Sequence, residues 1–174
     1  KVLVTGDKGY VGSVLTDVLL HSGYSVVGFD TGYYQECLIE SNSTTYPSIG
    51  RDIRDISMSD FDGIDAVVHL AALSNDPLGE LAPTLTEQIN LQGTIRLAKC
   101  AREAGVRRLV YASSQSMYGV SKTGHELDED DSDKNAITAY ARTKWDAEPE
   151  FLMVTTARER PDTSPPPPAR TFLS

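Results

Sequence analysis

Tyr140 and Lys144 stand four residues apart in a segment, 139–147, free of glycine and proline. On a helix that spacing puts both side chains on one face. An ammonium one turn from a phenol favours the phenolate, which can take a proton from a substrate hydroxyl near neutral pH. The same pattern occurs by chance on ordinary helix surfaces, so the chemistry needs companions. Ser113, Ser114 and Ser116 supply them, in the run YASSQSMYG that follows an apolar segment. Serines after a strand also form turns and helix caps. Their place at the carboxyl end of a strand, where open α/β sheets bind ligands, favours the functional reading.

A second constellation lies at the front. Gly6-Asp7-Lys8-Gly9-Tyr10-Val11-Gly12 follows an apolar run and opens a helical pattern. It carries one residue more between its first two glycines than the common dinucleotide fingerprint. The physical demands are the same: a tight turn, close approach of a pyrophosphate to backbone, and close packing of helix on strand. Alone, a Gly-rich turn is weak. Asp30 strengthens it, ending the next strand about 20 residues on, where an acid bonds the adenosine ribose hydroxyls. A carboxylate there repels a 2′-phosphate, so NAD is expected over NADP.

The elements that must position these groups alternate along the chain. Residues 1–5 (KVLVT) read as a buried strand. Val11, Val14, Leu15, Val18 and Leu19 form an amphipathic stripe, and the helix should end near Gly23. Strands follow at 25–30 (SVVGFD), 48–50, 65–71 (DAVVHLA) and 107–113 (RRLVYAS), with a long helix over about 84–104 between the last two. This alternation predicts an α/β fold, a doubly wound parallel sheet (Rossmann fold) with helices on both faces. The Tyr140 helix should run over 139–147 and be kinked or stopped at Pro149. The acidic stretch 126–133 has the first two ligand spacings of a calcium loop in Asp128 and Asp130. Asp133 then falls where the loop needs glycine and Ala139 where it needs glutamate, so a solvated loop is the better reading and no metal is expected. The plan is a domain over 1–153 and a Pro-rich, disordered tail over 154–174, with four consecutive prolines at 165–168.

In combination these motifs resemble the extended short-chain dehydrogenase/reductases, the NAD-dependent epimerase/dehydratase family, over residues 1–148. TGDKGYVG is similar to the family's glycine motif, which implies cofactor contacts at Gly6, Gly9, Tyr10, Val11 and Gly12, with Asp30 as its ribose-binding acid. Asp52 and Ile53, in RDIRD, resemble the pair flanking the adenine. Leu70, Ala71 and Ala72, in HLAA, resemble the segment along the cofactor, and Asn90, in INLQGT, its helix asparagine. The resemblance implies that Ser114, Tyr140 and Lys144 are catalytic. Tyr140 would deprotonate a sugar 4-hydroxyl, Ser114 bond the same oxygen, and Lys144 bind the nicotinamide ribose. NAD would be the cofactor, a nucleotide sugar the substrate and a 4-keto sugar the intermediate. Gln115 and Ser116 occupy the positions of the dehydratases' Asp-Glu pair, so an epimerase or dehydrogenase is preferred. The resemblance further implies a homodimer through the helices at 84–105 and 139–148. The family's substrate domain is missing after the Tyr/Lys helix, so a longer native protein is expected. A dinucleotide-binding module without turnover, or a sugar-nucleotide dehydratase, stays open as the alternative.

Bulk properties bound these readings. A chain of 174 residues with 25 acidic and 16 basic side chains, net charge -9, is poorly suited to nucleic acid. No apolar run reaches the ~20 residues of a membrane span. Cys37 and Cys100 have no metal-ligand spacing and read as reduced thiols. No leader pattern is read at the front, where the chain begins at Lys1 without Met, and the cytoplasm is the expected location. His21, His69 and His125 read as structural or surface residues.

Overall fold

A computed structural model describes residues 1–34, 45–74, 76–120 and 134–156. The strands β1 (Val2–Thr5), β2 (Val26–Asp30), β3 (Ser48–Gly50), β4 (Ala66–His69) and β5 (Arg108–Tyr111) form one sheet in the order β3-β2-β1-β4-β5. All four pairings are parallel. β1 is apolar and wholly buried because parallel strands are covered on both faces. The order reverses between β1 and β4, which opens a crevice beyond their carboxyl ends.

The register aligns Thr5 with Phe29, Thr5 with His69, and His69 with Tyr111. These four side chains form one row across the sheet. They face the larger core, in which Leu3, Phe29, Val67, Leu97, Ala98, Ala101, Tyr111, Ala147 and Phe151 are packed. Covering that face are α2 (Asp76–Leu81), α3 (Pro83–Glu87), α4 (Gly93–Glu103) and α5 (Ala139–Thr156). A π-helical turn over Gln88–Gln92 joins α3 to α4. On the other face α1 (Tyr10–His21) lies over Val2, Val4 and Val26.

Two expectations need correction, and one helix was missed. Helix α5 runs through Pro149 to Thr156, so of the kink or stop expected there it is not a stop. Ala147 and Phe151 flank the proline and are both in the core, so tertiary burial outweighs the local penalty. The apolar stripe of α1 is rotated from the expected one. Gly12 and Thr16 are buried and Leu15, Leu19 and Leu20 pack inward, whereas Val11, Val14 and Val18 are 55%, 59% and 56% exposed. Close approach at the two small residues sets the contact face, which a count of large apolar residues does not register. Helix α2 was not foreseen, because Pro77 and Gly79 leave it no stripe. The acidic stretch 126–133 lies outside the described residues, as does the tail from 157. Cys37 lies outside them as well, while Cys100 is a free thiol. Among the described residues no helix is long and apolar enough to cross a membrane.

Candidate active site

The glycine turn closes against the end of β4. Gly6 has φ +76°, and a Cβ there would lie 2.8 Å from the Ala71 nitrogen. At Gly12 a Cβ would meet the Gly6 carbonyl oxygen at 2.0 Å. Both positions need glycine, one for the turn and one to seat α1 on it. Gly9 caps α1 with no side-chain bond, so the helix's first N–H groups are left by its cap residue for a ligand. Tyr10 is exposed beside them.

Asp30 ends β2 and accepts from the N–H of Gly32 at 2.7 Å and of Lys8 at 3.3 Å. The carboxylate is therefore held at the mouth of the glycine turn. Beneath the turn, the buried Asp7 accepts from the hydroxyls of Tyr46 (3.1 Å) and Ser48 (3.0 Å), and Lys8 Nζ lies 3.5 Å away. Its place is made by Gly28, where any Cβ would overlap the carboxylate. These contacts tie β3 to the turn. The Leu70 N–H donates to the Thr5 carbonyl at 3.0 Å, and half-buried Ala71 and Ala72 continue from it. A Gly cradle, uncapped helix terminus and strand-end carboxylate together fit an adenine dinucleotide.

Two expected cofactor residues have partners within the protein. Asp52 accepts from Arg54 Nε (2.9 Å) and a terminal guanidinium nitrogen (2.8 Å), and this guanidinium holds its carboxyl below the usual range. Its neighbour Ile53 is buried in the core. Asn90, also buried, accepts from the Leu73 N–H at 2.8 Å and donates to the Leu73 carbonyl and Thr143 hydroxyl, each at 3.2 Å. It clamps the chain after Ala72 to α5.

Helix α5 begins at a Thr138 cap, whose hydroxyl accepts the Ala141 N–H at 3.1 Å. Within its first two turns Tyr140 and Lys144 share a face: Lys144 Nζ lies 6.0 Å from the Tyr140 ring centre and 4.7 Å from that of Tyr111. The ammonium donates to the Ala112 carbonyl at 2.7 Å, which leaves two of its three protons for other acceptors. Burial pushes its pKa down to about 8, against a smaller upward pull from Glu148. Ser114 follows β5 and caps the turn Gln115–Tyr118, accepting from the Ser116 N–H at 3.2 Å. Ser113 donates instead to Glu148. Burial, and then the Glu148 charge, push the Tyr111 hydroxyl far above its ordinary pKa.

Tyr111, Glu148, Thr94 and Thr143 were not singled out in the sequence. Two carried a usable signal: Glu148 is one turn beyond Lys144, and Thr94 one turn beyond Asn90. Among the described residues no group of acidic, His or Cys side chains could hold a metal ion.

Residues 2–158 match the NAD dependent epimerase/dehydratase family. A UDP-glucose 4-epimerase of Mycolicibacterium smegmatis is 36% identical over 129 residues, covering 68% of this chain and 40% of that protein. MoeE5, solved in complex with UDP-glucose and NAD, superposes with a TM-score of 0.77 at 31% identity, over 91% of this chain and 50% of that one. DesIV, a dTDP-glucose 4,6-dehydratase from Streptomyces venezuelae with NAD bound, gives a TM-score of 0.79 at 27% identity, over 90% of this chain and 52% of its own. The chain thus spans about half or less of the length of these relatives.

Proposed function

Because the chain belongs to the NAD-dependent epimerase/dehydratase family, we propose that it is the dinucleotide-binding, catalytic portion of an enzyme that epimerises or oxidises a nucleotide sugar. The observation that carries this is the placement of Lys144. Its buried ammonium bonds the Ala112 carbonyl, two residues before Ser114, and lies 6.0 Å from the Tyr140 ring centre. The relatives named UDP-glucose 4-epimerase and the solved complexes with UDP-sugars and NAD support the substrate class.

The chain's own residues have distinct parts. Gly6, Gly9, Tyr10, Val11 and Gly12 would cradle the pyrophosphate, Asp30 the adenosine ribose, Asp52 and Ile53 the adenine, and Leu70, Ala71 and Ala72 the length of the cofactor. Asn90 would keep that last segment in place. Bound NAD supplies the acceptor and donor of hydride at sugar C4. Tyr140 takes the proton of the sugar 4-hydroxyl and returns it, Ser114 hydrogen-bonds the same oxygen, and the spare Lys144 protons hold the nicotinamide ribose. A 4-keto sugar is the intermediate. Gln115 and Ser116 have no carboxylate for acid-base work at C5 and C6, which favours epimerisation or oxidation over dehydration.

A homodimer through the helices at 84–105 and 139–148 belongs to this reading, with Leu85 and Trp145 partly exposed on them. Sedimentation of the purified chain tests it. The second reading, dinucleotide binding without turnover, rests on the glycine turn and Asp30 alone. Incubation with UDP-glucose or dTDP-glucose and NAD, followed by chromatography of the products, separates the two. The first reading expects an epimer or a keto or oxidised sugar, lost by about 10²–10⁴-fold in Tyr140→Phe. Turnover undiminished in that variant would remove Tyr140 as the base.

A further inference from the structure

His69 is buried to 1% exposure and has both ring nitrogens in hydrogen bonds. Nδ1 is 2.6 Å from the Thr5 hydroxyl and Nε2 is 2.8 Å from the Thr94 hydroxyl. Neither partner carries charge, and the ring stacks on Tyr111 at 5.8 Å. The direction of every bond in this chain follows from its ends. The Thr94 hydroxyl is 2.6 Å from the Asn90 carbonyl, which can only accept, so the single Thr94 proton goes there. Thr94 must then accept from His69, which fixes the ring proton on Nε2. Nδ1 in turn accepts the Thr5 proton, and the Thr5 oxygen receives the Ala71 N–H at 3.4 Å. On the far side, the Thr143 hydroxyl donates to the Tyr140 carbonyl at 2.9 Å and accepts from the Asn90 amide.

These bonds run without a gap from the residue before Gly6, through β4 and the π-helical turn, to the helix that carries Tyr140 and Lys144. We propose that His69, held as the Nε2–H tautomer, is a positioning residue that couples the glycine turn to the catalytic helix. It fixes the separation between the dinucleotide site and the Tyr140–Lys144 pair. The coupling rests on the cofactor reading given above; the proton assignment does not. Elements on opposite sides of a crevice could be held by apolar packing alone, but packing tolerates sliding. A chain of oriented bonds, each with one allowed direction, specifies one arrangement.

The test uses the ¹⁵N-labelled chain, with Thr94→Val, Thr94→Ser, Thr143→Val and the Thr94→Val/Thr143→Val double variant, each checked for folding by circular dichroism. The imidazole nitrogen resonances of the ligand-free wild type report the tautomer, and NADH fluorescence reports affinity. The expected results are the Nε2–H form and an NADH Kd raised about five- to tenfold in each valine variant. Thr94→Ser should restore affinity, and the double variant should lose less than the product of the two. An Nδ1–H tautomer, full affinity in folded Thr94→Val, or strictly multiplicative losses would overturn the proposal. Should the wild-type chain show the Nε2–H form yet bind no NADH, the cofactor reading falls and the coupling with it, while the proton assignment stands.

Discussion

Replacing Lys144 with methionine should make the fold more stable at neutral pH, by an amount that shrinks as pH rises. Lys144 is 3% exposed, and burial lowers its pKa from 10.5 to about 8. At about 1.4 kcal/mol per pH unit, this drop corresponds to a destabilisation of about 3 kcal/mol while the group is charged. Methionine fills a similar volume without charge but forfeits the bond to the Ala112 carbonyl, a loss of about 1 kcal/mol. The net expectation at pH 7 is a gain of about 2 kcal/mol in urea unfolding. The sign of the pH dependence follows from the two proton inventories. Below pH 8 folded and unfolded chains both carry the Lys144 proton, and the full destabilisation is present. Between about 8 and 10.5 the unfolded chain keeps a proton that the folded chain has lost, so wild-type stability rises with pH. The difference between variant and wild type, which cancels other titrating groups, should therefore move by about 3 kcal/mol across that window, from about 2 kcal/mol in the variant's favour to about 1 kcal/mol in the wild type's. Parallel pH profiles would refute the claim that the ammonium is desolvated in place.

Other consequences are simpler. Gly12→Ala should destabilise by about 3 kcal/mol or more, since its Cβ would meet the Gly6 oxygen at 2.0 Å, whereas Gly50→Ala, with nothing within 4 Å, should stay within about 1 kcal/mol; thermal melts compare them. Val14→Lys on the exposed flank of α1 should change the melting free energy by less than about 0.5 kcal/mol, while Leu15→Lys, packed against the sheet, should unfold the domain. Burial lowers the His69 pKa to about 3, so the unfolded chain takes up a proton below its ordinary 6.5 that the folded chain refuses. Stability should fall with acid between pH 6.5 and 3 by up to about 1.4 kcal/mol per unit, a slope missing in His69→Gln.

Much of this architecture was written in local patterns. The runs VLVT, AVVH and RLVY mark strands because each is a short, mostly apolar run of four residues rich in β-branched or aromatic side chains. Gly6, Gly12, Asp30, Tyr140 and Lys144 were legible because turns and helices fix their geometry within a few residues. What was not legible depends on contacts between distant segments. The rotation of α1 follows from Gly12 and Thr16 touching the turn and sheet, and the continuation of α5 past Pro149 from Phe151 reaching the core. Tyr111 lies under Lys144, and His69 beside Thr5, only through strand register, which a sequence read element by element does not specify. The hydroxyls of Thr5, Thr94 and Thr143 look like ordinary helix and strand residues until that register is known.

The central claim is that the crevice at the ends of β1 and β4 binds NAD through the glycine turn and Asp30. Fluorescence titration of the purified chain with NADH, alongside Asp30→Ala, tests it most directly. Saturable binding by the wild type, weakened about tenfold or more by the substitution, is the predicted result. A folded wild-type chain that fails to bind, or an Asp30→Ala variant that binds NADH equally well, would contradict it.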